Sequence, residues 1–240
     1  MGENVMNEGS RKTLEGDFFW GFILLLWILV LVIPSARSVF LYLTGTYPYP
    51  CGFVKFFILA TMGDLLGQRI QKKEWVIPAG LFFKATLWGI IGMMITLVFT
   101  VYVNGAAAAQ AAGLLPFGGS KLANAFFGSA VMNLTFAPML YIYHKYGDLY
   151  IETKIERLAL KRADRITVRE LTGKVDWQSM VSFSWLVTCP LIWIPCHTVV
   201  LLLPTEYRVL ASAFLSILLG IIVAQSKMST QRSNAVAQLS

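Results

Sequence analysis

The sequence is short of charge. Only 14% of its 240 residues are Asp, Glu, Lys or Arg, against roughly 25% in average globular chains. A water-soluble domain of this size needs more charge than that to cover its surface. Cysteine is scarce as well. Cys51, Cys189 and Cys196 are scattered, so a disulfide-stapled secreted fold is excluded. Cys189 and Cys196 share a helical face but lie about 10 Å apart at helical pitch, beyond disulfide reach. With one nearby histidine they do not make a zinc site. His144 and His197 are the only histidines, which leaves little equipment for acid–base chemistry. No GxSxG, HExxH, Walker A or GxGxxG pattern occurs, and no Ser-His-Asp set has workable spacing. The sequence therefore points to no enzyme, no metal and no cofactor.

What the chain has is apolar residues, 56% of the total, and a mean hydropathy of +0.63. Disorder is excluded by that richness. A membrane-spanning helix needs about 20 mostly apolar residues. Six windows qualify. They run from Phe18 to Ile33 (continuing past Pro34 toward Leu43), Cys51 to Gln68, Leu81 to Val103, Leu122 to Tyr143, Met180 to Leu203, and Tyr207 to Ala224. Alternation of period two is weak throughout, so a β-barrel is not expected. In lipid the backbone must satisfy its own polar groups, which leaves an all-α bundle. The expected fold is one polytopic transmembrane helical domain over residues 1–240. It carries a tail at 1–17, a charged connection at 146–177 and a second tail at 225–240.

Charge placement agrees with six spans. Sixteen of the twenty Lys and Arg residues then fall on one side; Arg37, Lys55, Lys121 and Arg208 fall on the other. The positive-inside rule puts both termini and the connection at 146–177 on the cytoplasmic or equivalent side. The same distribution accounts for the net charge of +7 without invoking nucleic acid. Glu3, Glu8, Glu15 and Asp17 precede the first apolar run, unlike a signal peptide or a mitochondrial presequence.

The charged connection reads as an amphipathic helix from about Asp148. Ile151, Ile155, Leu158, Ala159 and Ile166 share a face, and Arg157, Lys161 and Arg165 form an adjacent basic stripe. Such a helix is expected to lie on anionic lipid headgroups. Its alternative is a solvated connector in which Glu152, Glu156 and Asp164 balance the basic residues.

Polar residues inside spans carry most of the functional information. Thr61, Asp64, Gln68 and Gln71 lie within roughly 80° of one another at helical pitch. Asp64 is the only acid within an expected span. It faces either a hydrated path or another helix, as hydrogen-bonding glue. Gly63 and Gly67 form a GxxxG pair that lets a neighbouring backbone approach closely. Asn133 lies near mid-membrane and is within expected reach of the Asp64 stripe. The fifth span reads WLVTCPLIWIPCHTVV, so Pro190 and Pro195 are expected to kink it, with a break that exposes carbonyls near His197 and borders a cavity as the alternative. Ser212, Ser216, Gly220 and Ala224 form a small-residue ridge suited to close packing within the chain, with a dimer as the alternative.

Several of these patterns occur in a consistent order. Tyr47-Pro48 is followed by an apolar run and then Gly63-Asp64-x-x-x-Gln68. The fourth span carries Asn133-Leu134-Thr135-Phe136-Ala137-Pro138. Trp185 and Trp193-Ile194-Pro195 precede Leu203-Pro204-x-x-Tyr207-Arg208-Val209. Over residues 40–224 this set resembles the peroxisomal-membrane-protein-22 / Mpv-seventeen family. Departures accompany it. Met132-Asn133 stands where the family has Asp-Gln, Cys196, His197 and Thr198 stand where it has Gln and Asn-Phe, and the first span is an addition. The resemblance implies a small polytopic protein of peroxisomal, organelle or bacterial membranes. Some members of that family are described as weakly selective channels, which would put Asp64 in the conducting region.

The expected function is therefore a channel or pore for small solutes or ions. Asp64 would set cation preference, and Gln68, Thr61, Asn133 and His197 would line the bundle interior. The expected partners are the bilayer, anionic lipids on the cytoplasmic side, and either a second copy or a membrane complex. The alternatives are a non-transporting structural or assembly subunit, and a lipid-modifying enzyme that uses His197.

Overall fold

The structure, a computed structural model, describes the backbone of residues 2–221 and the side chains of residues 13–221. No strand occurs among the described residues. The chain forms α1 (Gly2–Val32), α2 (Pro34–Thr46), α3 (Pro48–Lys72), α4 (Leu81–Ala111), α5 (Lys121–Ala159) and α6 (Val168–Gly173). Next come α7, over Trp177–Leu202, and α8, described over 205–221.

Five segments are long and apolar enough to cross a membrane: Thr13–Val32, Pro48–Lys72, Leu81–Ala111, Lys121–Ala159 and Trp177–Leu202. The chain is thus an all-α polytopic bundle. The sixth expected crossing corresponds to α8. Its expected end at Ala224, the tail at 225–240, and the charges Lys227 and Arg232 lie outside the described residues, as do the side chains of Arg11 and Lys12.

Proline sets several boundaries. The first span does not run on toward Leu43 as one helix. Pro34 has no N–H to continue the ladder and crowds the preceding turn. Ile33 therefore turns extended, and Pro34 opens α2. Pro48 opens α3 in the same way. Pro190 does not break the fifth span. Over Met180–Trp193 the helix widens to π register, with Pro190 inside it. The Ile194 N–H bonds to the Cys189 carbonyl, five residues back. The Thr188 hydroxyl likewise reaches the Phe183 carbonyl at 3.0 Å. A π turn has room for a residue that cannot donate, so the segment stays helical through both prolines.

The helices pack in sequence order, α3 on α4, α4 on α5 and α5 on α7. Their shared core includes Leu59, Ile91, Met132 and Leu210. Helix α1 sits outside this core and is fastened to α3 by side chains. The Trp20 indole donates to the Met62 carbonyl at 3.0 Å. Arg69 pairs with Asp17 at 3.0 Å, and Trp75 donates to the same carboxylate at 2.8 Å. Helix α8 packs on α3 through small residues. A Cβ added at Gly63 would come within 2.5 Å of the Ser216 carbonyl oxygen, and one at Gly67 within 3.0 Å of the Gly220 oxygen. Backbones approach this closely only where side chains are absent.

Helix α5 alters the reading of the charged connection. Its 39 residues span about 58 Å, nearly twice a hydrocarbon core of about 30 Å. The expected amphipathic helix is thus not a separate element but the far end of α5. It stops at Ala159, and Lys161 adopts a left-handed φ of 53°. The basic stripe is divided as a result. Arg157 is buried and binds Glu170 at 2.5 Å and the Asp164 carbonyl at 2.8 Å. Lys161 and Arg165 lie beyond the helix, exposed. Residues 160–176 fold back on α5 in this way, capped by Thr167 and Asp176.

Candidate functional site

Helices α3, α4 and α5 each turn one face toward a common space, and helical pitch explains which residues share it. On α3 the spacing of Thr61, Asp64, Gln68 and Gln71 is three, four and three. On α4, Leu81, Lys84, Trp88, Ile91 and Ile95 follow the same rhythm. On α5, Asn133, Ala137, Tyr141, His144 and Asp148 are spaced four, four, three and four. These faces meet around a cavity of about 390 Å³, completed by Trp193 and His197 of α7 and by Ser212, Ser216 and Gly220 of α8. All five residues expected in the polar interior, Thr61, Asp64, Gln68, Asn133 and His197, line it. From Asn133 to Asp148 the α5 wall extends about 22 Å along the helix.

At the Asn133 end of the α5 wall, side chains form a hydrogen-bonded chain. The Asn133 side-chain N–H₂ donates to the Ser129 carbonyl at 2.9 Å, and its Oδ1 lies 3.2 Å from His197 Nδ1. The Ser129 hydroxyl donates to the Ile194 carbonyl at 2.8 Å. His197 stacks on Trp193 with centroids 5.4 Å apart and meets Phe99 edge-on. Asn133 and Ser129 are fully buried. The Ile194 carbonyl, next to Pro195, thus accepts from the Ser129 hydroxyl and, at 2.7 Å, from the Thr198 hydroxyl.

The middle of the cavity is built on Asp64. The Trp88 indole donates to Asp64 Oδ2 at 2.7 Å. Trp88 packs on His144 with centroids 4.0 Å apart and the rings tilted by 34°, and His144 Nε2 lies 3.7 Å from Asp148 Oδ2. No hydrogen bond joins Asp64 to Asn133. The carboxylate partners Trp88 and Asn133 partners His197, although both residues face the same space. Among the described residues, no Lys or Arg lies within ion-pair distance of Asp64. Lys84, at the α3–α4 end, is paired with Glu152 at 2.5 Å.

Four buried side-chain polar atoms lack a hydrogen-bond partner among the described residues: Thr61 Oγ1, His144 Nε2, Asp148 Oδ1 and Trp185 Nε1. The first three belong to residues that line this cavity. Unpaired polar atoms cost free energy in a dry interior, so their clustering indicates a space that takes water or a polar solute.

The sequence reading missed Trp88, Tyr141, His144, Asp148 and Trp193 at this site. The repeating face on α5 from Asn133 to Asp148 was the available signal, because it places a histidine and an acid in line with Asn133. The charge count set Lys55 on one side with Arg37, Lys121 and Arg208. Lys55 is buried, donates to Thr44 at 2.9 Å and sits 4.6 Å over the Phe40 ring. The basic stripe and the cavity are separate features. Gly63, Gly67, Ser216 and Gly220 hold the α3–α8 wall, and Ser212 is buried beside it.

Fold and site together define a multi-pass helical membrane protein with a polar cavity inside its bundle. Comparison with known protein families, with characterised proteins and with solved structures finds no match.

Proposed function

We propose that this protein is a membrane conduit for small solutes, a channel or pore captured closed at the Asn133–His197 end, with no enzymatic step. One observation carries the reading. The polar residues of α3, α4, α5 and α7, which an ordinary structural bundle would scatter as isolated contacts, converge on one cavity that holds unpaired polar atoms. Intramembrane ionisable residues facing a water-sized space mark solute and ion pathways. The ordered resemblance to the peroxisomal-membrane-protein-22 / Mpv-seventeen family adds to this reading, since some members of that family are described as channels.

In this reading Asp64 sets the charge preference, and Gln68 and Thr61 line the path. Opening requires the Asn133–His197 contact to part. The chain sits with both termini and residues 160–176 on the cytoplasmic or matrix-equivalent side, where the exposed Lys161, Arg162, Arg165 and Arg169 face anionic lipid.

The test is conductance of the purified protein in planar bilayers. The conduit reading predicts discrete openings and a change in ion selectivity for Asp64→Asn. Silent bilayers with verified insertion would overturn it and leave an assembly subunit as the better reading.

A further inference from the structure

A conduit with a built cavity has a preferred occupant, and the lining says what chemistry it has. We infer that the cavity between α3, α4 and α5 binds a small organic cation, a protonated amine, held by the Asp64 and Asp148 carboxylates against the Trp88 ring. This inference rests on reading the cavity as solute-facing.

Three observations carry it. The first is charge. Two carboxylates line the cavity, and the lysine that also lines it, Lys84, already binds Glu152. Asp64 accepts a single neutral donor, Trp88. A half-buried carboxylate left so lightly paired is stabilised by any cation that enters.

The second is the direction of the unpaired atoms. Asp148 Oδ1 accepts only, and the Thr61 hydroxyl accepts as readily as it donates. Both atoms are buried without a hydrogen-bond partner in the described structure, and His144 Nε2 beside them already faces Asp148 Oδ2 at 3.7 Å. An ammonium group, with its several N–H donors, satisfies this set; an anion does not.

The third is size and wall. A volume of about 390 Å³ falls in the range of small-molecule sites, about 300–1,000 Å³, and far exceeds a bare ion. No group of three metal-ligating side chains occurs among the described residues, so the geometry does not favour a dehydrated metal ion. Trp88, Tyr141 and Trp193 supply apolar and aromatic surface for the carbon skeleton, and an ammonium over an aromatic face gains further attraction.

The experiment is calorimetric titration of the full-length protein in nanodiscs, with empty nanodiscs as reference. The probes are benzylammonium chloride, its neutral analogue benzyl alcohol, and sodium benzoate. Benzylammonium is expected to bind saturably and at least about tenfold more tightly than benzyl alcohol, and benzoate not to bind. Asp64→Asn is expected to weaken benzylammonium about tenfold or more. Because that change also disturbs Trp88, Asp148→Asn and Thr61→Val provide independent variants, each judged against an unchanged melting temperature. Equal affinity for benzylammonium and benzyl alcohol would overturn the inference. So would binding that survives both aspartate substitutions, or no saturable binding at all. Solute flux in proteoliposomes separates this inference from the one beneath it. Amine binding without any flux overturns the conduit and keeps the site, and flux without amine preference does the reverse.

Discussion

Trp88 donates its indole N–H to Asp64 at 2.7 Å, joining α4 to α3 at the wall of the cavity. The bond places the one carboxylate of α3 at a fixed point in the cavity wall. Replacing Trp88 with Phe keeps a ring and removes the donor. The expected cost is about 1–3 kcal/mol, the worth of a hydrogen bond to a charged group plus the desolvation left behind. In an Asp64→Leu background the same substitution is expected to cost clearly less, because the pair is already broken. Thermal melts of the four proteins in one detergent measure this coupling.

At one end of the cavity Asn133 meets His197, with Oδ1 and Nδ1 3.2 Å apart. Intramembrane hydrogen bonds of this kind average about 0.6 kcal/mol by double-mutant cycle. Asn133→Leu and His197→Phe are therefore expected to couple by about 0.5–1.5 kcal/mol. If parting this contact opens the path, Asn133→Leu also raises open probability in the bilayer. Single-channel recording of the variant checks the second outcome independently of the first.

The α3–α8 contact has no room for a side chain. Gly63→Val would drive a branched side chain into the Ser216 carbonyl, and overpacking of this sort costs about 1–3 kcal/mol or more. Gly21, which has nothing within 4 Å of an added Cβ, is the control. Gly63→Val is expected to lower the melting temperature and the monodisperse fraction on size exclusion, and Gly21→Ala to change neither.

Acid should release residues 160–176 from α5. Partial burial opposes ionisation of Glu170, but the Arg157 guanidinium and Lys174 outweigh it and hold the carboxyl below its usual range. Asp164 behaves likewise beside Arg162 and Arg157. Carboxyls depressed in the folded state stabilise it fully above their ordinary range, and that stability is lost as pH falls through the depressed values. Amide-exchange protection over Val168–Gly173 is thus expected to hold at neutral pH and to fall once the pH drops below the ordinary carboxylate range, about 4. Arg157→Ala is expected to abolish the protection already at neutral pH.

Much of the fold was legible because lipid imposes simple rules. Apolar length marked the spans, and the stripe from Thr61 to Gln71 marked the polar face of α3. The outcome at Pro190 was not legible, because a proline in an apolar run reads equally as a kink or a break, and the π register that keeps Met180–Trp193 helical has no local sequence mark. Arg157 was read as a headgroup contact since nothing local shows that 160–176 folds back to supply Glu170. His144 and Asp148 went unread for a related reason. Their face on α5 lies in register with Asn133, but the apolar window closed at Tyr143 and set them down as connection.

The account stands or falls on whether the space around Asp64 is wet and reachable. The direct measurement is cysteine accessibility in a background with Cys51, Cys189 and Cys196 replaced by Ala. Thr61→Cys and Gln68→Cys face the cavity; Leu59→Cys, at a position with 0% exposure, is the buried control. A charged, membrane-impermeant thiosulfonate ammonium reagent should label Thr61→Cys and Gln68→Cys in sealed proteoliposomes, from the side of the α3–α4 turn, and leave Leu59→Cys untouched. Thr61→Cys and Gln68→Cys as unreactive as Leu59→Cys would contradict the account.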